Sequence, residues 1–227
     1  MTVRSYPMWL FALAFIVAPA SVSPAGLPIP PEITRAAAVG LPDFLSRIPP
    51  SEEADYGFAN ADETRCAQLA QPFQLHTITP TALRTWHPGD ATSALMSKTD
   101  MWYFPITVDG VIRSILVVDQ TPAGWEAVSL GYVPLAAALD DLMQRWPSKY
   151  GHHPLLAVSF QAREYLFTLP DHPEPNLTPL RLTPTPADRQ SAGAARDLQN
   201  PAKTVARLLP AIKQNIAEFG PRIGGTQ

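Results

Sequence analysis

Cysteine and charge are both scarce in this sequence of 227 residues. Its single cysteine, Cys66, excludes an intramolecular disulfide and a zinc site built from cysteine ligands. Only 16% of the residues are charged, and 17 basic against 20 acidic residues give a formal net charge of −3. The chain therefore lacks the basic character of a nucleic-acid-binding protein, whereas its 46% hydrophobic content is sufficient for one globular domain with extensions.

Motifs that carry known chemistry are also absent from the sequence. It contains no HExxH zinc motif, no GxSxG nucleophile elbow, no P-loop and no GxGxxG dinucleotide-binding fingerprint. We therefore predict neither a cofactor nor a bound metal ion. No segment after the N-terminal region approaches the roughly 18 consecutive apolar residues of a membrane-spanning helix, so we expect a soluble mature protein.

Residues 1–25 have the order of features found in a secretory signal peptide. Arg4 is followed by an apolar run from Met8 to Val17 and then by small residues, with candidate cleavage points after Ala20 and Ala25. At about 1.5 Å per residue the run spans only about half of the hydrocarbon core of a bilayer. We therefore predict export with no stable membrane anchor after cleavage, rather than an N-terminal helix buried in the mature domain.

The composition also indicates where the protein is found. Arginine outnumbers lysine by 13 to 4, and alanine and proline are abundant, which favours a GC-rich bacterial source. The predicted location is accordingly the periplasm or the medium. Asn176 begins an Asn-Leu-Thr sequon, which has meaning only in a eukaryotic secretory pathway and is frequent by chance. We interpret this match as accidental.

Proline divides the chain into segments. The 26 prolines concentrate at the two ends, where they remove backbone donors and favour extended structure. After the signal peptide, the sequence predicts a Pro-rich extension over residues 26–59, a core domain over 60–170, a Pro-rich linker or strap over 171–190, and a C-terminal amphipathic helix with a tail over 191–227.

The core segment predicts an α+β domain. Asp109-Gly110 lies between two β-rich runs and predicts a type I′ hairpin. A third strand follows, and then an amphipathic helix from Leu135 to Trp146 whose apolar stripe is typical of a helix that covers a sheet. Two further strands, or one long bent strand, are expected between Leu155 and Leu169. This order predicts a twisted antiparallel sheet of five or six strands with one long helix packed on a face, preceded by short helices and followed by the strap and the C-terminal helix.

Aromatic residues are the leading candidates for a binding site. Because Trp102, Tyr103 and Phe104 are consecutive in a strand, they must place rings on both faces of the sheet. Trp125 lies on the next strand but one. The long helix covers one face, and the other needs the strap, the C-terminal helix, a ligand or a partner protein as its cover. A binding domain would have an exposed apolar patch or edge strand near Trp102 and Phe104.

The C-terminal helix is the second candidate binding element. It is predicted to begin at Asn200-Pro201, and its apolar residues include Leu208, Ile212 and Phe219. Pro210 interrupts the pattern, so we expect a kink or two shorter helices. The apolar face either docks on the sheet of the same chain or binds a partner protein or a second copy.

Three residues are candidates for catalysis. A helix predicted from Ala61 to Gln71 places Cys66 on its inner face, where a free cysteine acts as a small apolar residue. A thiol enzyme would instead need Cys66 beside an imidazole at the mouth of a pocket. His152 and His153 are adjacent on an extended segment and point in opposite directions, so they are not expected to chelate one metal ion.

These features together predict an exported, non-enzymatic domain that binds a protein partner or a second copy of itself. Regulation of another exported protein is one version of this function, and a small-ligand sensor is a second. The alternative from a different class is a thiol- or His-dependent exported hydrolase that uses Cys66 or His152 and His153.

Overall fold

The structure is a computed structural model that describes residues 29–182 and 198–219, and its architecture is α+β. The helices are α1 (Pro31–Ser46), α2 (Ala61–Arg65), α3 (Pro80–Thr85), α4 (Val133–Arg145) and α5 (Pro201–Phe219). The strands are β1 (Gln68–Leu69), β2 (Phe73–Thr77), β3 (Ser97–Val108), β4 (Val111–Thr121), β5 (Gly124–Gly131), β6 (Leu155–Ser159), β7 (Glu164–Thr168) and β8 (Thr178–Pro179).

The strands form one sheet in the order β5-β4-β3-β2-β6-β7-β8, and β1 pairs with β3 beside this path. Every pair is antiparallel except β2 with β6, which is parallel. The predicted fold class is confirmed. The sheet has eight strands rather than five or six because β1 and β8 are two-residue bridges that sequence periodicity cannot reveal.

The predicted hairpin forms the centre of the sheet. β3 and β4 are joined by Asp109 and Gly110, whose φ angles of 51° and 79° are those of a type I′ turn. Side chains alternate between the two faces along these strands. Tyr103, Ile115 and Val117 therefore contribute to a different core cluster from Phe104 and Leu116.

Helix α4 covers the first face of the sheet, as predicted. Its residues Leu135, Leu139 and Leu142 are buried against Tyr103, Val117 and other side chains of this face. On the same helix, Oδ1 of Asp140 accepts a hydrogen bond of 3.0 Å from the backbone N–H of Ile112 near the start of β4. This carboxylate therefore ties the helix to the start of β4.

Helix α1 covers the opposite face, and no helix was expected in the Pro-rich segment over residues 26–59. Pro31 lies in the first turn, where a missing N–H costs nothing, and Pro42 is accommodated inside the helix. Ile33, Ala37 and Leu41 are buried and pack over the part of the sheet formed by β3, β4 and β5.

Helices α3 and α5 cover the other end of the same face. Leu208 and Ile212 of α5 are buried with Leu83 of α3 and with Ala157 and Leu166 of β6 and β7. The helix continues through Pro210, so the alternative of two shorter helices is wrong. The described part of this apolar face docks on the sheet of its own chain, which is one of the two predicted outcomes.

The segment that leads towards α5 is held by a buried asparagine. Leu169 donates its backbone N–H to Oδ1 of Asn176 (2.8 Å), and Nδ2 of Asn176 donates to the carbonyl of Leu169 (3.1 Å). The side chain thus replaces a missing strand partner at the end of β7. Because Asn176 is only 2% exposed, the sequon is inaccessible in the folded protein.

The helix predicted from Ala61 to Gln71 ends much earlier than expected. Asn60 caps it by accepting the N–H groups of residues 62 and 63, as the sequence indicates, but the helix stops at Arg65. Residues 68–69 then pair with β3 as β1. Cys66 is exposed at the end of α2, so the prediction that it is buried is wrong.

Candidate functional site

Strand β5 forms one edge of the sheet. It pairs with β4 on one side, and no strand of the described ranges pairs with its other side. A strand in this position presents a row of backbone N–H and C=O groups to which another polypeptide can add a strand. β5 has eight residues, which is longer than the two-residue strand β8 at the opposite edge.

Helix α1 lies directly against this edge strand. An added Cβ on Gly40 would be only 2.2 Å from Cβ of Ala127, so the helix and the strand are in close backbone contact at this point. Only glycine permits this approach at position 40. The neighbouring larger side chains Phe44 and Trp125 are partly buried around the contact.

A groove with a volume of about 590 Å³ runs along the outer side of this contact. Its lining combines apolar residues with both signs of charge. The side chains that face the solvent here define what we call the α1/β5 face: Glu32, Arg35, Val39, Asp43 and Arg47 of α1, and Trp125 of β5.

One valine of this face, Val39, is exposed, and a second exposed valine, Val128, lies on β5 outside the groove lining. Val39 is 69% exposed and Val128 is 42% exposed, although both lie in regular secondary structure. Val128 falls where the pairing of β4 with β5 shifts its register between Val117 and Val118. A β-bulge of this kind turns an extra residue away from the ladder.

The charges of the face are only partly paired within the chain. Arg47 forms an ion pair with Asp43 one turn earlier and also lies over the ring of Phe44. Glu32 and Arg35 have no ion pair with any residue of the described ranges. The face therefore holds apolar surface flanked by acidic and basic groups, which is the composition of many protein-binding surfaces.

No protein-family model, curated protein or solved structure matches this chain. None of the helices in residues 29–182 and 198–219 has the length and hydropathy needed to cross a bilayer. Within the same ranges no group of three or more His, Cys, Asp or Glu side chains is arranged to hold a metal ion.

The aromatic residues singled out from the sequence are brought together, but largely inside the protein. Trp102 and Phe104 are 8% and 2% exposed and pack beneath α1, while Trp125 is partly buried at the rim of the same cluster. The exposed patch expected at Trp102 and Phe104 is thus covered by the chain's own helix. Of the three, Trp125 alone lines the groove.

The candidate binding residues of the C-terminal helix whose side chains are described are also buried inside the protein. Leu208 and Ile212 are 1% and 3% exposed in the cluster with α3, β6 and β7. The side chain of Phe219 lies outside the described residues. The sequence pattern correctly identified the apolar face of this helix, and the structure supplies its cover within the chain.

The three candidate catalytic residues lie on different sides of the sheet. Cys66 is exposed, and its neighbours Arg65 and Ala67 line a second groove with α1. His152 instead contacts the ring of Trp146, which packs against the cluster under α4, with the ring centroids 5.1 Å apart. His153 is half-buried in the same loop. The fold thus separates the thiol from this imidazole pair.

The side chains with shifted pKa values also lie away from the α1/β5 face. Burial raises the pKa of Tyr103 well above its usual value, and the hydroxyl of Tyr165, 3.2 Å from its own, adds to the effect. Burial lowers the pKa of His76, against the opposing effect of a hydrogen bond with the carbonyl of Gln74. These groups are parts of the packed interior.

Proposed function

We propose that this protein is an exported binding domain that holds another polypeptide at the α1/β5 face. The observation that carries the proposal is the long edge of β5, which pairs with no strand of residues 29–182 and 198–219, beside an exposed apolar and charged groove. Such an edge is normally protected against unwanted pairing by its shortness, by charge or by a cover. Here α1 supports the strand from one side and leaves the edge open.

The composition of the face supports a polypeptide partner rather than a small ligand. The groove is open along its length and carries Glu32, Arg35, Asp43 and Arg47 around the exposed Val39. Small-molecule sites are usually concave and mostly apolar. A mixed surface of this type is better suited to a protein partner whose side chains and backbone supply complementary groups.

Export is supported by the sequence of residues 1–25. A positively charged start, a short apolar run and small residues before candidate cleavage points form the expected signal. We expect protein recovered from the periplasm or the medium to begin after Ala20 or Ala25, as measured by intact mass. Recovery of the uncleaved chain in the cytoplasm would refute this part of the proposal.

The binding part is tested by placing a photo-cross-linking amino acid at Val39 or Trp125, which both line the groove, in the full-length chain. The matched control is Phe160, which is 55% exposed in the turn between β6 and β7. We expect both positions of the α1/β5 face to yield the same polypeptide adduct, identified by mass spectrometry, and Phe160 to yield none. Adducts of equal yield at all three positions, or no adduct at Val39 and Trp125, would contradict the proposal.

A further inference from the structure

We propose that the polypeptide held at the α1/β5 face is a second copy of this chain, with the two α1 helices packed antiparallel about a two-fold axis between Val39 and Gly40. This inference rests on the proposed binding function and names its partner. A two-fold interface uses the same surface on both copies, so that surface must be complementary to itself. The sequence of charges along α1 meets this requirement.

The relevant residues form one stripe of the helix. Glu32, Ala36, Val39, Asp43 and Arg47 are separated by three or four positions and therefore lie on one side. All five line the groove beside β5. The stripe is acidic at its N-terminal end, small and apolar in its middle, and basic at its C-terminal end.

Antiparallel packing pairs the two ends of this stripe. At a rise of about 1.5 Å per residue, Glu32 lies about 11 Å from the axis in one direction and Arg47 about 11 Å in the other. Glu32 of each copy therefore faces Arg47 of the second copy. Arg35 and Asp43 lie about 7 Å and 5 Å from the axis on opposite sides, within reach of each other across the interface.

The pairing also supplies partners for two charges of α1. Glu32 and Arg35 have no ion-pair partner in the described ranges, and each gains one from the second copy. By symmetry every cross-interface pair occurs twice. A parallel arrangement would instead put each charge beside its own equivalent, which is repulsive. The charge order thus selects the antiparallel dimer.

The middle of the stripe allows the two helices to approach closely. Val39 is the side chain nearest the axis, and Asp43 of each copy lies opposite the small residue Ala36 of the second copy. Val39, which is 69% exposed in the single chain, would meet Val39 of the second copy. A helix seated there lies beside the groove and shields the open edge of β5, which offsets the hazard of an unpaired strand.

The test uses two charge-reversed variants of the mature chain, studied by sedimentation velocity over a range of concentrations. The first, Glu32→Lys with Asp43→Lys, makes all four charges basic, and the second, Arg35→Glu with Arg47→Glu, makes them all acidic. We expect the unmodified chain to be a dimer. Each variant alone should dissociate with a dissociation constant raised more than about tenfold, because attraction becomes repulsion.

Mixing the two variants provides the decisive result. An all-basic helix and an all-acidic helix are complementary, so the equimolar mixture is expected to form a heterodimer although neither variant self-associates. The control is Lys203→Glu with Lys213→Glu, an equal charge reversal at two exposed positions of α5, which should leave the dimer intact. A dimer that survives both reversals of α1, or a mixture that stays monomeric, would overturn the inference.

A cysteine variant tests the same interface without reversing its charges. Val39→Cys places a thiol next to the axis, and mild oxidation should join two copies through residue 39, as located by peptide mapping. A monomeric unmodified chain with no such disulfide would overturn the second-copy inference. The proposed binding function then stands if the cross-linkers at Val39 and Trp125 capture one different polypeptide, and fails if they capture nothing.

Discussion

Replacement of Gly40 by alanine tests the contact on which the α1/β5 face is built. Gly40 is in the interior of a regular helix, and there an exchange of glycine for alanine normally stabilises a protein by up to about 1 kcal/mol. The structure predicts the opposite sign. The new Cβ would lie 2.2 Å from Cβ of Ala127 and 3.6 Å from its Cα.

The size of the destabilisation follows from the lack of space for the new methyl group. Carbon atoms in contact are separated by about 3.5–4.0 Å, so helix and strand must move apart by more than about 1 Å to admit the methyl group. Overpacking of this size typically costs about 1–3 kcal/mol, which exceeds the gain in helix propensity. We therefore expect Gly40→Ala to lower the free energy of unfolding by about 1–2 kcal/mol.

The assay is urea denaturation followed by tryptophan fluorescence, with two further variants as comparisons. Thr34→Ala, at an exposed position of the same helix, introduces alanine without a clash and should be neutral or slightly stabilising. Ala127→Gly removes the methyl group that Gly40→Ala meets. The double variant should recover at least about 1 kcal/mol relative to the sum of the single changes.

The predicted clash would be refuted if Gly40→Ala stabilised the protein as much as replacement of an exposed helical glycine by alanine does. It would also be refuted if the changes at residues 40 and 127 were additive, because additivity means that the two positions do not touch. Either result would remove the basis for a groove between α1 and β5 and, with it, the position of the α1/β5 face.

Three further predictions concern single side chains. Asn176→Ala should lower the free energy of unfolding by about 2–4 kcal/mol in urea titrations, because buried backbone groups lose their hydrogen-bond partner. Burial lowers the pKa of His76 in the folded state, so the unfolded state binds the proton first. Stability measured against pH should therefore be complete above about pH 6.5 and fall as the pH decreases towards the lowered pKa, and His76→Gln should remove this component. Cys66 should react with a small thiol reagent in the native state without denaturant, because it is exposed; labelling only after unfolding would contradict its position.

The elements that could be predicted from the sequence are those with strong local signals. The pair Asp109-Gly110 determines its turn through the positive φ values that both residues tolerate. The stripe Leu135, Leu139 and Leu142 determines which side of α4 faces the sheet. These patterns involve neighbours in the chain and need no knowledge of distant contacts. The α+β class follows from their order.

Helix α1 was not predicted, because the prolines of its segment indicate extended structure and its hydrophobic periodicity is short. Pro31 is compatible with the first turn of a helix, and Ile33, Ala37 and Leu41 recur at intervals of four. Once this helix is recognised, it becomes the missing cover of the second sheet face. The aromatic residues on that face then need neither a ligand nor a partner.

The end of α2 shows a different limit. Its capping residues favour a helix, and the helical pattern could continue past Cys66, but the next residues gain more by pairing with β3 as β1. That pairing joins segments that are far apart in sequence. The tertiary contact therefore outweighs the local helix propensity. As a result, Cys66 is exposed at the end of α2 instead of buried on the inner face of a longer helix.

The exposure of Val39 follows from the sequence only after the orientation of α1 is known. Residues two positions apart on a helix do not face the same way, so if Ala37 and Leu41 point into the core, Val39 between them must point outwards. It then stands as an apolar residue between Arg35 and Asp43 on an otherwise charged side. Exposure of one valine is common on a soluble protein, so the charges around Val39 are what make this side distinctive. The proposed interface rests on this order of charges rather than on the buried aromatic residues, and the mixing of the two charge-reversed variants tests it directly.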